Sequence, residues 1–498
     1  MPENVSPPPT GVTDSRPGQS EDQHTTDRGA LRGRVGVLEL VLTVLAFSAP
    51  MVVVSGVTPF VIIFGGAGAP VAFAIVTVLL LVFAVGYTTM TRYLPNPGAF
   101  YAYITAGLGR VLGLGASFLA LFAYLVLGVG TYVFFAVVAK GLVEGVLMGP
   151  VLPWYLYALA CAALTGLLGY LRIDLSVKTL SIVMVCEILI VMIFDVAVLG
   201  DGGPGGRTLE PFTWGAFNSG AVGLALLFAA TCFLGFEATA VFREEVKDPR
   251  RTIPRATYLA VLCIGIFYVL AAWLLIVAYG TADVSEVAGT NFAGMFSEAI
   301  QSYVGTWASH VVTVLVVTSA FAAVLSVQNI LARYVYSLGV DRVLPPALST
   351  VHPRHGSPSV SSVTVTAVKV LILLVLAVAA DDTAAVYGQF GGTGGFAVLV
   401  LMFLTSVSVV VFFWRRRDIV DVSLWHRFIA PALGAIGLGA VLWLAVTNFT
   451  TMTGGSMAVA VGFQVAVWAV FLAGVVLALV YRSRRPDVYA RIGRQEVS

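Results

Sequence analysis

Twelve apolar segments, each long enough to cross a lipid bilayer, run through the 498-residue sequence and limit what it can fold into. The hydrocarbon core of a bilayer is about 30 Å thick and needs roughly 20 apolar residues in a helix. Because no water reaches this core, each segment must pair its own backbone groups, as a helix does. The sequence therefore predicts an all-α polytopic membrane protein with twelve transmembrane helices. They lie at residues 35–64, 70–93, 112–138, 152–171, 176–199, 220–242, 256–279, 304–338, 360–380, 387–414, 428–446 and 457–481.

Positive charges are distributed unevenly around these segments. An even number of crossings places both termini on one side of the membrane. If that side is the cytoplasm, 25 of the 28 lysines and arginines fall in inner segments, and only Lys140 and Arg207 lie outside. This excess follows the positive-inside rule, so we expect both termini in the cytoplasm and the chain in the cell (plasma) membrane. The remaining cation, Lys369, lies within the ninth segment, where we expect its amine to snorkel or pair at the periphery.

Two terminal regions lack apolar runs. Residues 1–34 are rich in Pro, Ser, Thr and Asp, which predicts a disordered cytoplasmic tail. Residues 482–498 are interpreted as a second cytoplasmic tail. Arginine outnumbers lysine 24 to 4, which suggests a bacterial source.

The first and sixth segments contain helix-breaking residues. Pro50, Gly56 and Pro59 fall within the first segment, and Gly235 lies in the middle of the sixth. A simple proline kink would explain the first break alone, because proline removes a backbone donor. Breaks at matching places in two halves instead indicate a transporter binding site. We therefore predict two five-helix repeats of opposite topology, at 35–199 and 220–414, followed by helices 11 and 12 at 427–481.

Two acids lie well inside apolar segments, Glu187 in the fifth and Glu237 in the sixth. An ionised acid at the bilayer centre costs about 2.5 kcal/mol or more, which favours a functional role for each. The alternative is a neutral acid hydrogen-bonded to backbone. Glu187 can carry a proton or, with the hydroxyls of Thr318 and Ser319, offer oxygens to a hard cation such as sodium. We favour the proton over sodium, and expect Asp195 to lie at the outer interface.

Signals for enzymatic chemistry are missing from the sequence. There is no GxxxxGK(S/T) phosphate-binding motif, the five histidines are scattered, and the four cysteines lack metal or redox spacing. We expect no catalytic residue, no metal and no cofactor. The expected partners are a small-molecule substrate and the lipid bilayer, and not nucleic acid.

Three motifs carry a resemblance to a known family: PNPGAFYAYITAGLG, FLGFEATAVFREEVKDPRRTIPRA and QNILARYVYSLGVDRVLPPAL. The chain resembles the amino acid/polyamine/organocation permeases, a family that includes bacterial amino acid transporters. This resemblance implies a LeuT-like five-plus-five inverted repeat with two extra C-terminal helices. One departure is that Val54, Ser55 and Gly56 stand where the family usually shows a Gly-Ser-Gly break.

The breaks also suggest how a substrate would bind. Freed N–H groups at Ser55, Gly56, Val57 and Thr58 lie at a positive helix end and suit a carboxylate. The resemblance implies that carbonyls of Thr231 and Leu234, beside Phe233 and Gly235, meet the substrate ammonium. The ring of Phe233 can cover that cation or simply pack in the protein core.

The resemblance also assigns roles to the two acids. Glu237 is similar to an acid that links protonation to closure of the inner gate in some relatives. Glu187 stands where proton-coupled relatives carry a lysine. Together these features predict a secondary active transporter that takes up an amino acid or related amine by proton symport and alternating access. An exchanger, a polyamine or ethanolamine carrier, and a transporter-like nutrient sensor remain the alternatives.

Overall fold

The computed structural model describes residues 36–94, 100–172, 177–241, 246–419 and 421–493. Within these ranges every regular element is helical. The predicted disordered tail at 1–34 lies outside the described residues. The first half contains α1 Val37–Phe47, α2 Pro50–Val52, α3 Thr58–Gly65, α4 Ala69–Thr91, α5 Phe100–Leu108, α6 Arg110–Gly141, α7 Trp154–Leu171 and α8 Val177–Asp201.

The remaining helices follow in chain order. They are α9 Trp214–Phe217, α10 Val222–Thr231, α11 Ala238–Val241, α12 Pro249–Tyr279, α13 Val284–Thr290, α14 Met295–Tyr303, α15 Thr306–Val340, α16 Ser359–Ala379, α17 Thr383–Arg415, α18 Ala430–Thr447, α19 Phe449–Met452, α20 Met457–Arg484 and α21 Pro486–Arg491. Short π-helical turns occupy Val53–Val57, Leu142–Val146 and Trp425–Ile429, and 3₁₀ turns occupy Gly66–Gly68, Glu210–Phe212 and Pro346–Ser349.

Ten helices in the described part of the chain are long and apolar enough to cross a membrane, so the protein is a multi-pass membrane protein. One of the ten, Pro50–Thr91, is a 42-residue run. It contains α2, α3 and α4, and therefore parts of the first two predicted segments. The sixth predicted segment is represented by α10, which is shorter than a full crossing. The all-helical membrane class is confirmed, whereas twelve crossings and the inverted repeat stay predictions.

The first predicted segment is interrupted twice. After α1, Ala49 adopts a left-handed backbone conformation with φ 45°, which is uncommon for a residue with a side chain. Pro50 then opens α2, where its missing N–H is tolerated. The next turn, Val53–Val57, is π-helical and contains Ser55 and Gly56. Single π-turns inside helices frequently occur at functional sites.

The sixth predicted segment is interrupted at its centre. Helix α10 ends at Thr231, a stretch of turns covers 232–237, and α11 begins at Ala238. Gly235 within this stretch has φ 109°, a conformation that side-chain-bearing residues rarely adopt. The glycine therefore allows the chain to leave the helix at this position.

Small residues bring the central helices close together. A Cβ on Gly394 of α17 would lie 2.5 Å from Cγ of Leu127 on α6. A Cβ on Gly395 would collide with the side chain of Thr231, at the end of α10. Glycine at such positions lets membrane helices approach and pack. Helix α17 therefore lies against both α6 and the broken α10.

The expectation that Lys369 lies at the periphery was wrong. Its side chain is 1% exposed and belongs on the inner face of α16. The amine lies 3.5 Å from Oη of Tyr132 and 5.0 Å from the centre of that ring. Tyr132 in turn shares a 2.5 Å hydrogen bond with Thr165 of α7. The rotation of α16 about its axis places Lys369 against α6. The sequence alone does not determine this rotation. Asp195 is also buried, with 8% of its surface exposed, and its place at the outer interface stays a prediction.

Candidate functional site

Glu187 of α8 is hydrogen-bonded to the backbone at the interruption of the first predicted segment. Its Oε2 accepts a hydrogen bond of 3.1 Å from the backbone N–H of Met51, the second residue of α2. Pro50 has no N–H, so Met51 carries the first free donor of this helical stretch. The acid of α8 is therefore joined directly to the interrupted helix.

A small cavity adjoins this carboxyl group. It has a volume of about 20 Å³ and lies between α8 and α15, with Ala49 at the break on its wall. Glu187, Ser319 and Ser326 supply its polar side chains. A space of this size holds about one water-sized species. The cavity can therefore take a water, a proton carrier or a single small ion, but not an organic substrate.

The structure separates the two hydroxyls that the sequence grouped with Glu187. Ser319 is buried and lines the cavity. Thr318 is exposed, and its hydroxyl donates to the carbonyls of Val314 at 3.1 Å and Leu315 at 3.0 Å. Among the described residues, no three His, Cys, Asp or Glu side chains are close enough together to bind a metal.

Glu237 closes the turn in the sixth segment. Its Oε2 accepts the N–H of Gly235 at 2.9 Å. Its backbone carbonyl accepts the hydroxyl of Tyr87, on α4, at 3.0 Å. The side chain of Tyr124, on α6, also contacts the carboxyl group. Glu237 therefore holds the broken helix together and links it to α4 and α6.

A group of tyrosines, which we call the tyrosine cluster, surrounds Glu237 on the α5 side. Tyr87 stacks on Tyr103 with ring centres 4.6 Å apart. Tyr334 of α15 lies 5.8 Å from Tyr101 and 5.9 Å from Tyr124. The sequence analysis did not predict this cluster, although Tyr101 and Tyr103 lie in one of the family motifs. The cluster joins four helices around the acid.

A second group of rings, which we call the aromatic cluster, lies beside Gly56. It consists of Phe60, Phe134, Phe228, Phe292 and Tyr387. Phe134 stacks on Tyr387 with centres 5.1 Å apart, and Phe60 lies 5.4 Å from Phe292. A Cβ on Gly56 would lie 2.8 Å from Cζ of Phe134 and 3.0 Å from Oη of Tyr387. Only a residue without a side chain allows these rings to lie against the break.

The predicted substrate contacts in the first segment remain near this cluster. Ser55 and Thr58 are buried, and Val57 is half-buried. The hydroxyl of Ser55 points to Sδ of Met51 at 3.6 Å. The hydroxyl of Thr58 is buried without a hydrogen-bond partner among the residues that the structure describes. Buried hydroxyl groups without a partner are rare in folded proteins.

The predicted substrate contacts in the sixth segment differ in burial and in the partners of their atoms. Thr231 lies against α17, and its carbonyl accepts the N–H of Leu234 at 3.2 Å, so it is not freed by the break. Leu234 and Gly235 are half-buried. Phe233 is fully buried, and its ring meets Tyr268 of α12 edge-on, with centres 6.2 Å apart. Phe233 therefore packs against α12, and the aromatic cluster supplies the rings near Gly56.

The chain is similar to a known protein family and to several known transporters. The family model described as amino acid permease matches residues 39–480. The low-affinity putrescine importer PlaP of Escherichia coli is 25% identical over 457 residues, covering 86% of this chain and 92% of PlaP. The branched-chain amino acid permease BcaP of Bacillus subtilis is 24% identical over 60% of this chain and 65% of its own length. An uncharacterized transporter of Mycobacterium tuberculosis, Rv1999c, is 28% identical over 76% of this chain and 80% of its own.

The family match covers most of the chain and agrees with the broken helices, the buried acids and the multi-pass architecture. It also accounts for the absence of enzyme motifs, because permeases move substrates without covalent chemistry. The chain belongs to the amino acid permease family, within the amino acid/polyamine/organocation superfamily.

Proposed function

We propose that this protein is a secondary active transporter that imports an amino acid or a related amine by proton symport and alternating access. The observation that carries this proposal is the hydrogen bond between Glu187 and the Met51 N–H. It ties a protonatable group on one helix to the interrupted helix that would bind substrate. A change of charge at Glu187 therefore acts directly on the break.

The substrate site in this proposal lies between the two breaks. The N–H groups of Ser55, Gly56 and Val57 face the substrate carboxylate in this proposal. The N–H of Thr58 is bonded to the Val53 carbonyl, but its unpaired hydroxyl supplies a further donor. Backbone carbonyls of Leu234 and Gly235 face the ammonium, whereas the Thr231 carbonyl stays bonded to the Leu234 N–H. The aromatic cluster covers the ligand, since its rings already lie against Gly56. Phe233 takes a packing role.

Coupling in this proposal works through the charge of Glu187. An ionised carboxylate is a stronger acceptor for the Met51 N–H than a neutral carboxyl group. Protonation therefore weakens the link between α8 and α2 and lets the first segment move. Glu237 plays the corresponding part in the sixth segment, because its carboxyl group accepts the Gly235 N–H and so stabilises the turn between α10 and α11.

The lining of the cavity beside Glu187 favours a proton over a metal cation. Hard cations such as calcium take six or more oxygen ligands, and sodium resembles them in preferring oxygen. The cavity beside Glu187 offers one carboxyl group and the hydroxyls of Ser319 and Ser326, while Thr318 faces away.

The membrane potential supplies enough energy for uptake coupled to one proton, because one charge crossing 100 mV supplies about 2.3 kcal/mol. Tenfold accumulation needs about 1.4 kcal/mol.

The positive-inside distribution supports an orientation with both termini in the cytoplasm. Labelling of single cysteines at exposed positions on the two sides, in intact cells, would test it.

A polyamine carrier is the second candidate. The likeness to PlaP, which is named as a putrescine importer, favours it over an exchanger or a nutrient sensor. Aromatic rings attract organic cations, and Glu187 and Glu237 add two acids near the site. A diamine would use both acids, whereas an amino acid needs the donors of the first break.

The test is uptake into proteoliposomes that contain the purified protein. Labelled branched-chain amino acids and labelled putrescine are each supplied with and without an inward proton gradient. Accumulation of an amino acid only with the gradient supports the leading proposal. Accumulation of putrescine alone would favour the polyamine carrier. Exchange without net accumulation would overturn symport, and binding without any transport would favour a sensor.

A further inference from the structure

A cavity of about 550 Å³ opens where α15 and α20 end. Arg342, Arg485 and Asp487 are the charged residues on its wall. It lies far along the chain from both breaks and shares no residue with the cavity beside Glu187. The proposed transport mechanism does not use it.

The walls of this cavity are held by packing. The hydroxyl of Tyr481, on α20, donates to the carbonyl of Val343 at 2.9 Å. Val343 and Val488 belong to a buried apolar cluster that joins the ends of α6, α15 and α20 to α21. Arg342 has a left-handed backbone with φ 57°, which turns the chain into the loop beside the cavity. The two arginines are therefore carried on a fixed frame.

The charge in the cavity is not balanced. Among the described residues, neither Arg342 nor Arg485 forms an ion pair within 4.0 Å. Asp487 is the acid on the wall. The neighbouring Asp341 interacts instead with Arg491. The cavity therefore keeps a net positive charge, which suits an anion.

The position of the arginines points to an amphiphile. Arg342 lies two residues beyond the membrane-length helix α15, and Arg485 lies one residue beyond α20. Val340 lies two residues before Arg342, and Leu479 and Val480 lie six and five residues before Arg485; all three expose apolar side chains. Exposed apolar side chains therefore lie at the ends of the same two membrane helices that lead into the cationic cavity. A free phosphate would use only the cationic part of this arrangement.

We propose that this cavity binds the headgroup of an anionic phospholipid from the adjacent leaflet. The guanidinium groups of Arg342 and Arg485 hold the phosphodiester oxygens by charge-assisted hydrogen bonds. The acyl chains lie along Val340, Leu479 and Val480. Basic pockets at the ends of membrane helices bind such headgroups in other proteins. This site is separate from the proposed substrate site.

Native mass spectrometry of the full-length protein in detergent, titrated with phosphatidylglycerol or phosphatidylcholine, tests the proposal. The double variant Arg342→Gln/Arg485→Gln should bind phosphatidylglycerol at least roughly tenfold more weakly, because it loses two charge-assisted interactions. The matched control is Arg416→Gln/Arg417→Gln, two arginines at the end of α17 outside the cavity. This control should bind like the parent. Phosphatidylcholine should bind weakly to all three proteins.

Three results would overturn the proposal. Equal phosphatidylglycerol binding by the double variant and the parent would show that the two arginines do not hold the lipid. An equal loss in the control variant would show a general effect of surface charge. Displacement of the lipid by equimolar soluble glycerol phosphate would show a site for a free anion instead. Size-exclusion profiles and melting temperatures in phosphatidylcholine confirm that each variant is folded, since both substituted arginines are exposed.

Discussion

The Glu187 carboxylate and the Met51 backbone N–H, 136 residues apart in the sequence, share a hydrogen bond of 3.1 Å. This contact joins α8 to the interrupted first segment, beside a cavity that fits about one water-sized species. A buried acid and a broken helix are thus parts of one arrangement. Its consequences can be measured.

Glu187→Gln should remove the pH dependence of uptake. The glutamine amide oxygen can still accept the Met51 N–H, but the side chain no longer binds a proton in the working range. Uptake rates measured over a series of external pH values should vary in the parent and stay flat in the variant. Thr318→Ala is the control, since Thr318 faces away from the cavity. Parallel pH profiles for the parent and Glu187→Gln would contradict the role of Glu187.

Gly56→Ala should abolish uptake while the protein still reaches the membrane. The new methyl group would lie 2.8 Å from Phe134, so the aromatic cluster must shift. Overpacking of this kind costs about 1–3 kcal/mol. Gly462→Ala is the matched control, because no atom lies within 4 Å of its added methyl. Melting temperature and uptake are measured for both variants, and normal uptake by Gly56→Ala would refute the close approach.

Tyr87→Phe should loosen the turn at Glu237. The substitution removes the hydroxyl that donates to the Glu237 carbonyl at 3.0 Å and keeps the stacked ring. A single buried hydrogen bond contributes about 1 kcal/mol, so in a chain of this length the melting temperature should fall by about one degree. Tyr93→Phe, whose hydroxyl forms an exposed bond to Asp421 at 3.3 Å, should change little. Equal melting temperatures for the two variants would argue against a bracing role for Tyr87.

Lys369→Met should leave the protein as stable as the parent or more stable. The buried amine lies beside Tyr132, and Tyr132 keeps its bond to Thr165 after the substitution. Because Tyr132 stays paired, the substitution leaves no buried polar group unsatisfied and removes an amine that is costly to bury. Lys140→Met, at an exposed pair with Glu144, is the control. A fall in melting temperature for Lys369→Met alone would show that the amine stabilises the bundle of α6, α7 and α16.

Features that depend on short stretches of sequence were predictable. Apolar length identified the membrane class, and local helix breakers located the interruptions near Gly56 and Gly235. The isolated acids drew attention to Glu187 and Glu237 because charge in an apolar segment is costly wherever the segment packs. The family motifs indicated the permease family, which the comparisons confirmed. Each of these inferences needs only residues that are close together in the chain.

Features that depend on the rotation and meeting of helices were decided by the tertiary structure. Thr318 and Ser319 are adjacent, yet successive residues point about 100° apart on a helix, so only Ser319 reaches the cavity. The same rotation buried Lys369. The aromatic cluster draws Phe134 and Tyr387 from helices far apart in sequence. Apolar length and helix breaks are properties of the chain itself, so the sequence alone determined them. Which faces meet depends on packing between distant helices, and only the tertiary structure decided that.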